Sequence, residues 1–195
     1  NAQLGFTDVW DDIDFYKDDD FLENSPKRCY TCRNLMYSEI KKLAVENGFD
    51  YICDGNNISD LIDDRPGILI TYANNFKTPL IEARLNSKEI HEYLDKNNIP
   101  YSKSTTCLAT RIKTDTQKKK KKIDTISYCE DYILSNTNCE IVKVRDFGKV
   151  SMCEVDNIIE VLQDNKFKQI NDELKKQGYK KVSLNLSEIK NTDEI

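Results

Sequence analysis

Cys29-Tyr30-Thr31-Cys32 is the part of the sequence whose residue types and spacing point most directly to chemistry. Two thiolates three residues apart can bind one soft metal centre from a single turn of chain. A four-thiolate zinc site would need two more cysteines, whereas an iron-sulfur cluster held by three cysteines needs only one more. Cys107, in the polar stretch 104–111, is the best third candidate. The alternative is that the three are small buried residues or an unrelated redox pair.

The other cysteines lie in apolar surroundings and are predicted to be core residues: Cys53, Cys129, Cys139 and Cys153. The chain starts without the basic-then-apolar pattern of a signal peptide, which predicts a cytoplasmic protein. Seven cysteines in such a chain indicate buried thiols plus a metal or reactive site rather than a disulfide framework.

Charged residues supply two further candidate sites. In the segment 142–146, strand alternation places Lys143 and Arg145 on one face, where both could contact one anionic group. A plain solvent-facing strand edge is the alternative interpretation. Asp54, in an acid-rich loop, could coordinate Mg²⁺ together with other acids, or the loop could simply be solvated. The other acids are Asp60, Asp63 and Asp64, and Arg65 could contact phosphate.

Composition excludes several classes of protein. The 195 residues carry a net charge of −5 and are 38% hydrophobic, and no run approaches the ~18 apolar residues of a membrane span. A chain this close to neutral has no overall footprint for nucleic acid, and Lys118–Lys122 is its only dense basic patch, interpreted as a solvated linker. The six glycines are isolated, so no glycine-rich phosphate loop is present.

Hydrophobic periodicity indicates which elements position these residues. Apolar residues at helical spacing from Leu35 predict a helix that ends near Gly48, followed by a short buried strand at 49–53. Asn86 and Glu89 form the pattern of a capping box at the start of another helix. This alternation predicts an α/β arrangement in which the sheet is cut short on its N-terminal side.

A second unit follows the segment 113–122, which has no apolar residue. A helix is predicted over 123–134, then a hairpin of 139–144 and 149–155 around Asp146-Phe147-Gly148, further helices, and a last strand at 182–186. The predicted domains are therefore residues 1–115, an α/β unit, and residues 116–195, a small α+β domain.

Six segments in this order resemble the LarE family, whose members are ATP-dependent sulfur transferases of the PP-loop ATP-pyrophosphatase superfamily that help make the nickel-pincer nucleotide cofactor of lactate racemase. The segments are residues 24–32, 54–57, 65–67, 79–82, 107–112 and 142–146. The resemblance implies that residues 1–115 are a PP-loop parallel-sheet domain lacking its N-terminal part. It also implies adenylation of a carboxylate of a pyridinium mononucleotide with ATP and Mg²⁺, and then sulfur transfer to give a thiocarboxylate.

The resemblance also assigns roles to residues of this sequence. Cys29, Cys32 and Cys107 match the three-cysteine branch of the family, in which they hold a 4Fe-4S cluster that carries the transferred sulfide. Lys143 and Arg145 match the strand that binds substrate phosphate. The remaining assignments are Glu154 as an orienting carboxylate, Arg111 facing the site, and Asp54 and Asn57 in the loop beside the nucleotide. A sulfide or another sulfur donor, and a homo-oligomer, are further implications.

The sequence departs from the family at two places. The Ser-Gly-Gly-x-Asp-Ser loop that binds pyrophosphate is absent, and Lys113-Thr114-Asp115 replaces the usual Pro-Tyr-Gly after the Cys107 segment. Two alternatives remain open, a PP-loop enzyme that thiolates tRNA and a non-enzymatic, zinc-stabilised binding module. The net charge of −5 disfavours a tRNA partner.

Overall fold

The computed structural model describes residue 9 and residues 12–62, 68–101, 105–117 and 119–189 of the chain. It is a mixed α/β structure with many helices and one small sheet. The helices are α1 (Asp19–Glu23), α2 (Arg28–Glu46), α3 (Ile58–Ile62), α4 (Ile68–Ala73), α5 (Pro79–Glu82), α6 (Ser87–Lys96), α7 (Lys120–Asn136), α8 (Ile158–Leu162) and α9 (Lys166–Lys176). The strands are β1 (Val142–Asp146), β2 (Val150–Val155) and β3 (Lys181–Leu184), and a 3₁₀ turn covers Leu108–Arg111.

The sheet lies in the C-terminal half, in the order β1-β2-β3. β1 and β2 are antiparallel, with Lys143 opposite Glu154, and β2 and β3 are parallel. The predicted hairpin and last strand are confirmed. Inward-facing residues of β1 and β2 pack with α7 and α9 into the larger core, whose most enclosed members are Ile126, Cys129, Val144, Val155 and Leu174. The sequence prediction of buried Cys129, Cys139 and Cys153 is confirmed.

Two helices of the N-terminal half, α2 and α6, match the sequence predictions. α2 contains the predicted helix and extends it by two turns at its start, so that it carries both Cys29 and Cys32. The capping box at α6 is present, because Asn86 and Glu89 bond each other's backbone N–H groups. A small core here joins Tyr37, Ile70 and Phe76, and the Tyr37 and Phe76 rings stack with centroids 4.2 Å apart.

The predicted buried strand at 49–53 is wrong in this structure. Among the described residues it is reduced to one parallel bridge between Cys53 and Lys77, and Phe49 and Tyr51 are exposed. Cys53 is exposed as well, contrary to the prediction that it packs in the core. One bridge pairs this segment with no further strand; Ile52 packs partly against the small core of Tyr37, Ile70 and Phe76, and its neighbours stay exposed. Among the described residues before 105, that bridge is the only strand pairing, so the parallel sheet that the resemblance implies stays a prediction.

The second core begins before the predicted boundary at residue 115. Ile112 is almost fully buried within it and forms a parallel bridge with Asp146 at the end of β1. Asp146 also accepts hydrogen bonds from Lys122 and Tyr179, so the start of α7 and the segment before β3 are tied to one carboxylate. The structure therefore attaches the segment after Cys107 to the C-terminal unit.

Candidate functional site

The cysteine-bearing segments are joined by a polar clamp between residues 24–28 and 112–115. Asn24 is fully buried, and its Nδ2 donates to the carbonyl of Lys113 at 2.9 Å. The backbone carbonyl of Asn24 accepts the backbone N–H of Asp115 at 3.0 Å. Arg28 Nη1 donates to Thr114 Oγ1 at 2.8 Å. The clamp therefore fixes the start of α2, which carries Cys29 and Cys32, to the chain that follows Cys107. The residues 113–115 that depart from the family pattern are the ones that form it.

The structure does not bring the three thiols together as a metal site. Cys29 and Cys107 are exposed and Cys32 is partly buried. Within the described residues, no group of three or more Cys, His, Asp or Glu side chains is positioned to hold a metal ion. Three cysteine thiolates suit an iron-sulfur cluster, and the segments that carry them are tied together. Binding a cluster would still require the side chains of Cys29, Cys32 and Cys107 to turn toward each other.

Arg111 organises the loop around Cys107 from inside the protein. Its side chain is 1% exposed, and its Nε donates to Glu130 Oε1 on α7 at 2.6 Å. Its Nη1 donates to the carbonyl and hydroxyl oxygens of Thr106, at 3.1 and 2.7 Å. Glu130 Oε1 also accepts the backbone N–H of Val144 at 2.8 Å. The Arg111 guanidinium is thus occupied by protein partners, and the geometry gives it a positioning role behind Cys107.

The cationic strand lies beside the same loop. Arg145 Nη1 donates to the carbonyl of Thr110 at 3.0 Å, and its Nε forms an ion pair of 3.0 Å with Glu154 on β2. Lys143 is partly buried on the same face of the sheet as Arg145. Burial, and then the nearby charges of Arg111 and Arg145, lower the pKa of Lys143. Excess positive charge beside Cys107 makes this face suited to an anionic group.

The loop of Asp54 and Asn57 forms a separate polar network against α2. Asp54 Oδ2 accepts from the hydroxyls of Tyr37 at 2.7 Å and Thr71 at 2.9 Å, and also from the Asn56 side chain. Arg33 Nη2 donates to Asn56 Oδ1 at 3.2 Å. Asp54 is therefore well occupied by hydrogen-bond donors, which leaves it poorly disposed as a Mg²⁺ ligand in this arrangement.

Asn57 serves the same loop in a different way. Its Oδ1 accepts the backbone N–H of Ser59 at 2.8 Å, and the hydroxyl of Ser87, at the start of α6, lies 3.4 Å away. It thus connects the start of α3 to α6. The acids Asp63 and Asp64, together with Arg65 and the segment 65–67, lie outside the described residues.

Several residues of these networks escaped the sequence reasoning. Tyr37 lies on α2 after Cys32, Thr71 lies on α4 and Glu130 lies on α7, and none of the three belongs to a motif. The one signal that the sequence offers for them is a polar residue at a position where the helix periodicity predicts a buried one. Their neighbours along the chain do not show which partner such a residue contacts. Only the packing of α2 and α7 brings them to Asp54 and Arg111.

The structure combines a mixed α/β fold with a cationic hairpin face next to the loop that carries Cys107. No helix among the described residues is long and apolar enough to cross a membrane. No family model matches the chain.

Curated relatives are similar over most of the chain. It is 28% identical over 170 residues to an uncharacterized protein of Methanocaldococcus jannaschii, covering 87% of this chain and 67% of that protein. It is 25% identical to an uncharacterized protein of Synechocystis sp., covering 85% of this chain and 63% of that protein. It is 24% identical over 179 residues to the pyridinium-3,5-bisthiocarboxylic acid mononucleotide synthase of Lactiplantibacillus plantarum. That match covers 89% of this chain and 63% of the synthase.

Proposed function

We propose that this chain is part of a LarE-type sulfur transferase that converts a carboxylate of a pyridinium mononucleotide into a thiocarboxylate. The observation that carries the proposal is the contact between Thr110 and Arg145, which sets the Cys107 loop against the cationic strand. A sulfur-bearing residue and a phosphate-binding face must lie close together if one substrate is to use both. The similarity to a pyridinium-3,5-bisthiocarboxylic acid mononucleotide synthase supports the same substrate class.

The proposed reaction has two balanced steps. In the first, a carboxylate oxygen of the substrate attacks the α-phosphorus of ATP, Mg²⁺-bound pyrophosphate leaves, and an acyl-adenylate forms. In the second, a sulfide-level sulfur attacks the acyl carbon and AMP leaves with the electron pair of the broken C–O bond. Activation is needed because a carboxylate anion is otherwise a poor electrophile. Neither step changes an oxidation state, so no external reductant is required.

The residues of this chain would bind and orient the substrate. Lys143 and Arg145 would hold the phosphate of the mononucleotide, with Glu154 fixing the direction of the Arg145 guanidinium through their ion pair. Arg111, held by Glu130, would keep the Cys107 loop at a constant distance from that phosphate. The loop of Asp54 and Asn57 would lie on the nucleotide side of the site.

A 4Fe-4S cluster would be held by Cys29, Cys32 and Cys107, and when bound it would supply an iron with an open position for the sulfide to be transferred. The clamp of Asn24 and Arg28 would then keep the two ligand-bearing segments in reach of each other.

The first experiment measures iron and acid-labile sulfide in the anaerobically reconstituted protein and its Cys29→Ala, Cys32→Ala and Cys107→Ala variants. The expected result is about four irons and four sulfides per chain, lost in each variant. Cys53→Ala is the matched control, because Cys53 is also exposed but belongs to none of the clamped segments. An iron content of Cys107→Ala equal to that of the original chain would refute the assignment of Cys107 as a ligand. One zinc per chain without iron would favour the zinc-stabilised module.

The second experiment measures binding of nicotinic acid mononucleotide, a pyridinium mononucleotide carboxylate, by calorimetry. Lys143→Ala and Arg145→Ala should each weaken binding by at least about tenfold, because each removes a charge-assisted contact to phosphate. Lys149→Ala is the control, since Lys149 is an exposed lysine on the hairpin outside the proposed site. Equal effects of all three variants would contradict the proposed phosphate site, and salt-sensitive binding of bulk tRNA would revive the tRNA-thiolating alternative.

A further inference from the structure

The core of the C-terminal unit is open on one side, where a cavity of about 420 Å³ reaches from the surface to the sheet. Its floor consists of buried residues of β2, α7 and α9, among them Val155, Ile133 and Ile170. Val182 and Leu184 of β3 line it as well. Small-molecule sites occupy about 300–1,000 Å³, so this cavity is large enough for a small organic molecule.

The break between α8 and α9 leaves this space uncovered. Asp164 and Asn165, which connect the two helices, both have left-handed backbone conformations, with φ of 53° and 62°. Two such residues in succession interrupt a right-handed helix, so α8 and α9 do not run as one helix across the sheet. Leu162 on α8 and Phe167 on α9 stand on either side of the break and line the cavity, and they are 48% and 50% exposed. The two helices thus form a rim of apolar side chains around an open cavity.

A single charge lies at the mouth of this apolar cavity. Among the described residues that line it, Lys168 in the first turn of α9 is the one that carries a charge, and it is exposed. The neighbouring ion pair joins Lys166 to Glu160 at 3.1 Å and leaves Lys168 out. Asp172, one turn further along α9, accepts the side-chain amide of Asn171 at 3.0 Å. The Lys168 ammonium is therefore placed to pair with an anionic group that enters the cavity from the surface.

We propose that this cavity binds a small amphiphilic carboxylate, whose alkyl chain fills the apolar space and whose carboxylate pairs with Lys168 at the mouth. Apolar cavities stay dry and take up apolar molecules, and a carboxylate at the surface keeps part of its hydration while it pairs with the ammonium. The site is separate from the proposed phosphate face. Val155 lines the cavity and alternates along β2 with Glu154, so the ion pair of Glu154 with Arg145 lies on the other face of the sheet. Binding here therefore requires neither ATP nor the pyridinium substrate.

Calorimetry of the full chain with octanoate and octanol tests the role of the charge. Lys168→Met should weaken octanoate binding by about fivefold, the equivalent of about 1 kcal/mol for a charge pair at the surface, and should leave octanol binding unchanged. Lys175→Met is the matched control, because Lys175 is an exposed lysine of α9 that does not line the cavity. No binding of octanoate, or equal effects of Lys168→Met on the two ligands, would overturn the proposal.

The length of the alkyl chain tests whether the apolar part enters the cavity. From hexanoate to octanoate, each added methylene should tighten binding by about fourfold. Asn171→Trp places an indole where the partly buried Asn171 lines the cavity, and should abolish this dependence on length. Asp172→Trp is the control, because it removes the same hydrogen bond between Asn171 and Asp172 from an exposed position outside the cavity, and should keep the dependence. Affinity that does not change with length in the original chain, or that loses its dependence on length in both variants, would refute binding in this cavity.

NMR locates the ligand directly. Nuclear Overhauser effects should join the methylene protons of octanoate to the methyl groups of Val161, Val182 and Leu184, which line the cavity. Val45 is the control methyl residue, since it is 78% exposed on α2 and should show none. The amide spectra of the variants verify that each is folded before its affinity is compared. Octanoate that contacts methyl groups elsewhere, and none of the three in the cavity, would overturn the assignment.

Discussion

Removing the carboxylate of Glu130 should destabilise the protein more than any change of an exposed charge. Glu130 is 8% exposed and accepts from Arg111, whose side chain is 1% exposed, and from the backbone N–H of Val144. Glu130→Ala would leave a buried guanidinium without its carboxylate and a buried N–H without its acceptor. Losing one partner of a buried ion pair costs about 3–5 kcal/mol. Set against a typical unfolding free energy of about 5–15 kcal/mol, that loss is a large fraction of the total.

Urea unfolding followed by circular dichroism measures this loss directly. The midpoint should fall by about 1.5–2.5 M, given the expected cost and a slope near 2 kcal/mol/M for a small protein. Glu92→Ala is the control, because the Glu92 carboxylate pairs with Lys88 at 3.9 Å on the exposed face of α6. Exposed pairs contribute about 0–1 kcal/mol. A midpoint for Glu130→Ala within the range of Glu92→Ala would refute the buried-pair argument.

A second variant separates charge burial from packing. Replacing Arg111 by Met and Glu130 by Leu together removes both charges, so the double variant should recover much of the stability lost by Glu130→Ala alone. It should nevertheless leave Cys107 more reactive toward thiol reagents, because the Thr106 contacts of Arg111 are lost with the guanidinium. Unchanged labelling of Cys107 would show that Arg111 does not position the loop.

Three further predictions follow from particular residues. Burial and neighbouring cations lower the pKa of Lys143, so binding a phosphate monoester should raise that pKa again and take up protons at alkaline pH. Calorimetry in buffers of different ionisation enthalpy detects the uptake, and binding without uptake would contradict the prediction. Burial raises the pKa of Cys129 and of Cys153 to about 12, so at pH 8 both should resist labelling while the exposed Cys107 reacts. The free energy of unfolding should fall as pH rises above 9, because there the unfolded chain alone loses these thiol protons. Tyr37→Phe keeps the stacked ring but removes a hydroxyl from the Asp54 network, and should cost about 1–3 kcal/mol in urea unfolding; a loss near zero would show that the network does not depend on it.

Local patterns in the sequence were sufficient for α6, for α2 from Leu35 onward, for the helices of the C-terminal half and for the hairpin. The capping box at Asn86 depends on residues three apart, and the hairpin on alternation around Gly148, so near neighbours specify both. The pairing of Lys143 with Arg145 on one face follows from the two-residue period of a strand. The ordered segments likewise made the LarE resemblance visible from the sequence.

Tertiary structure decided which of these residues meet. Asn24 reaches Lys113 across 89 positions of sequence, and Arg111 reaches Glu130 across 19, distances over which local propensity carries no information. Cys53 was expected in the core because its neighbours are apolar, yet burial requires a second layer, and one bridge to Lys77 does not provide it. The sequence by itself determined the chemical groups and many of the local elements, although not the strand it predicted at 49–53. The relative placement of Cys107, Arg111 and the cationic strand came only from packing, because burial and long-range hydrogen bonds depend on where the whole chain folds.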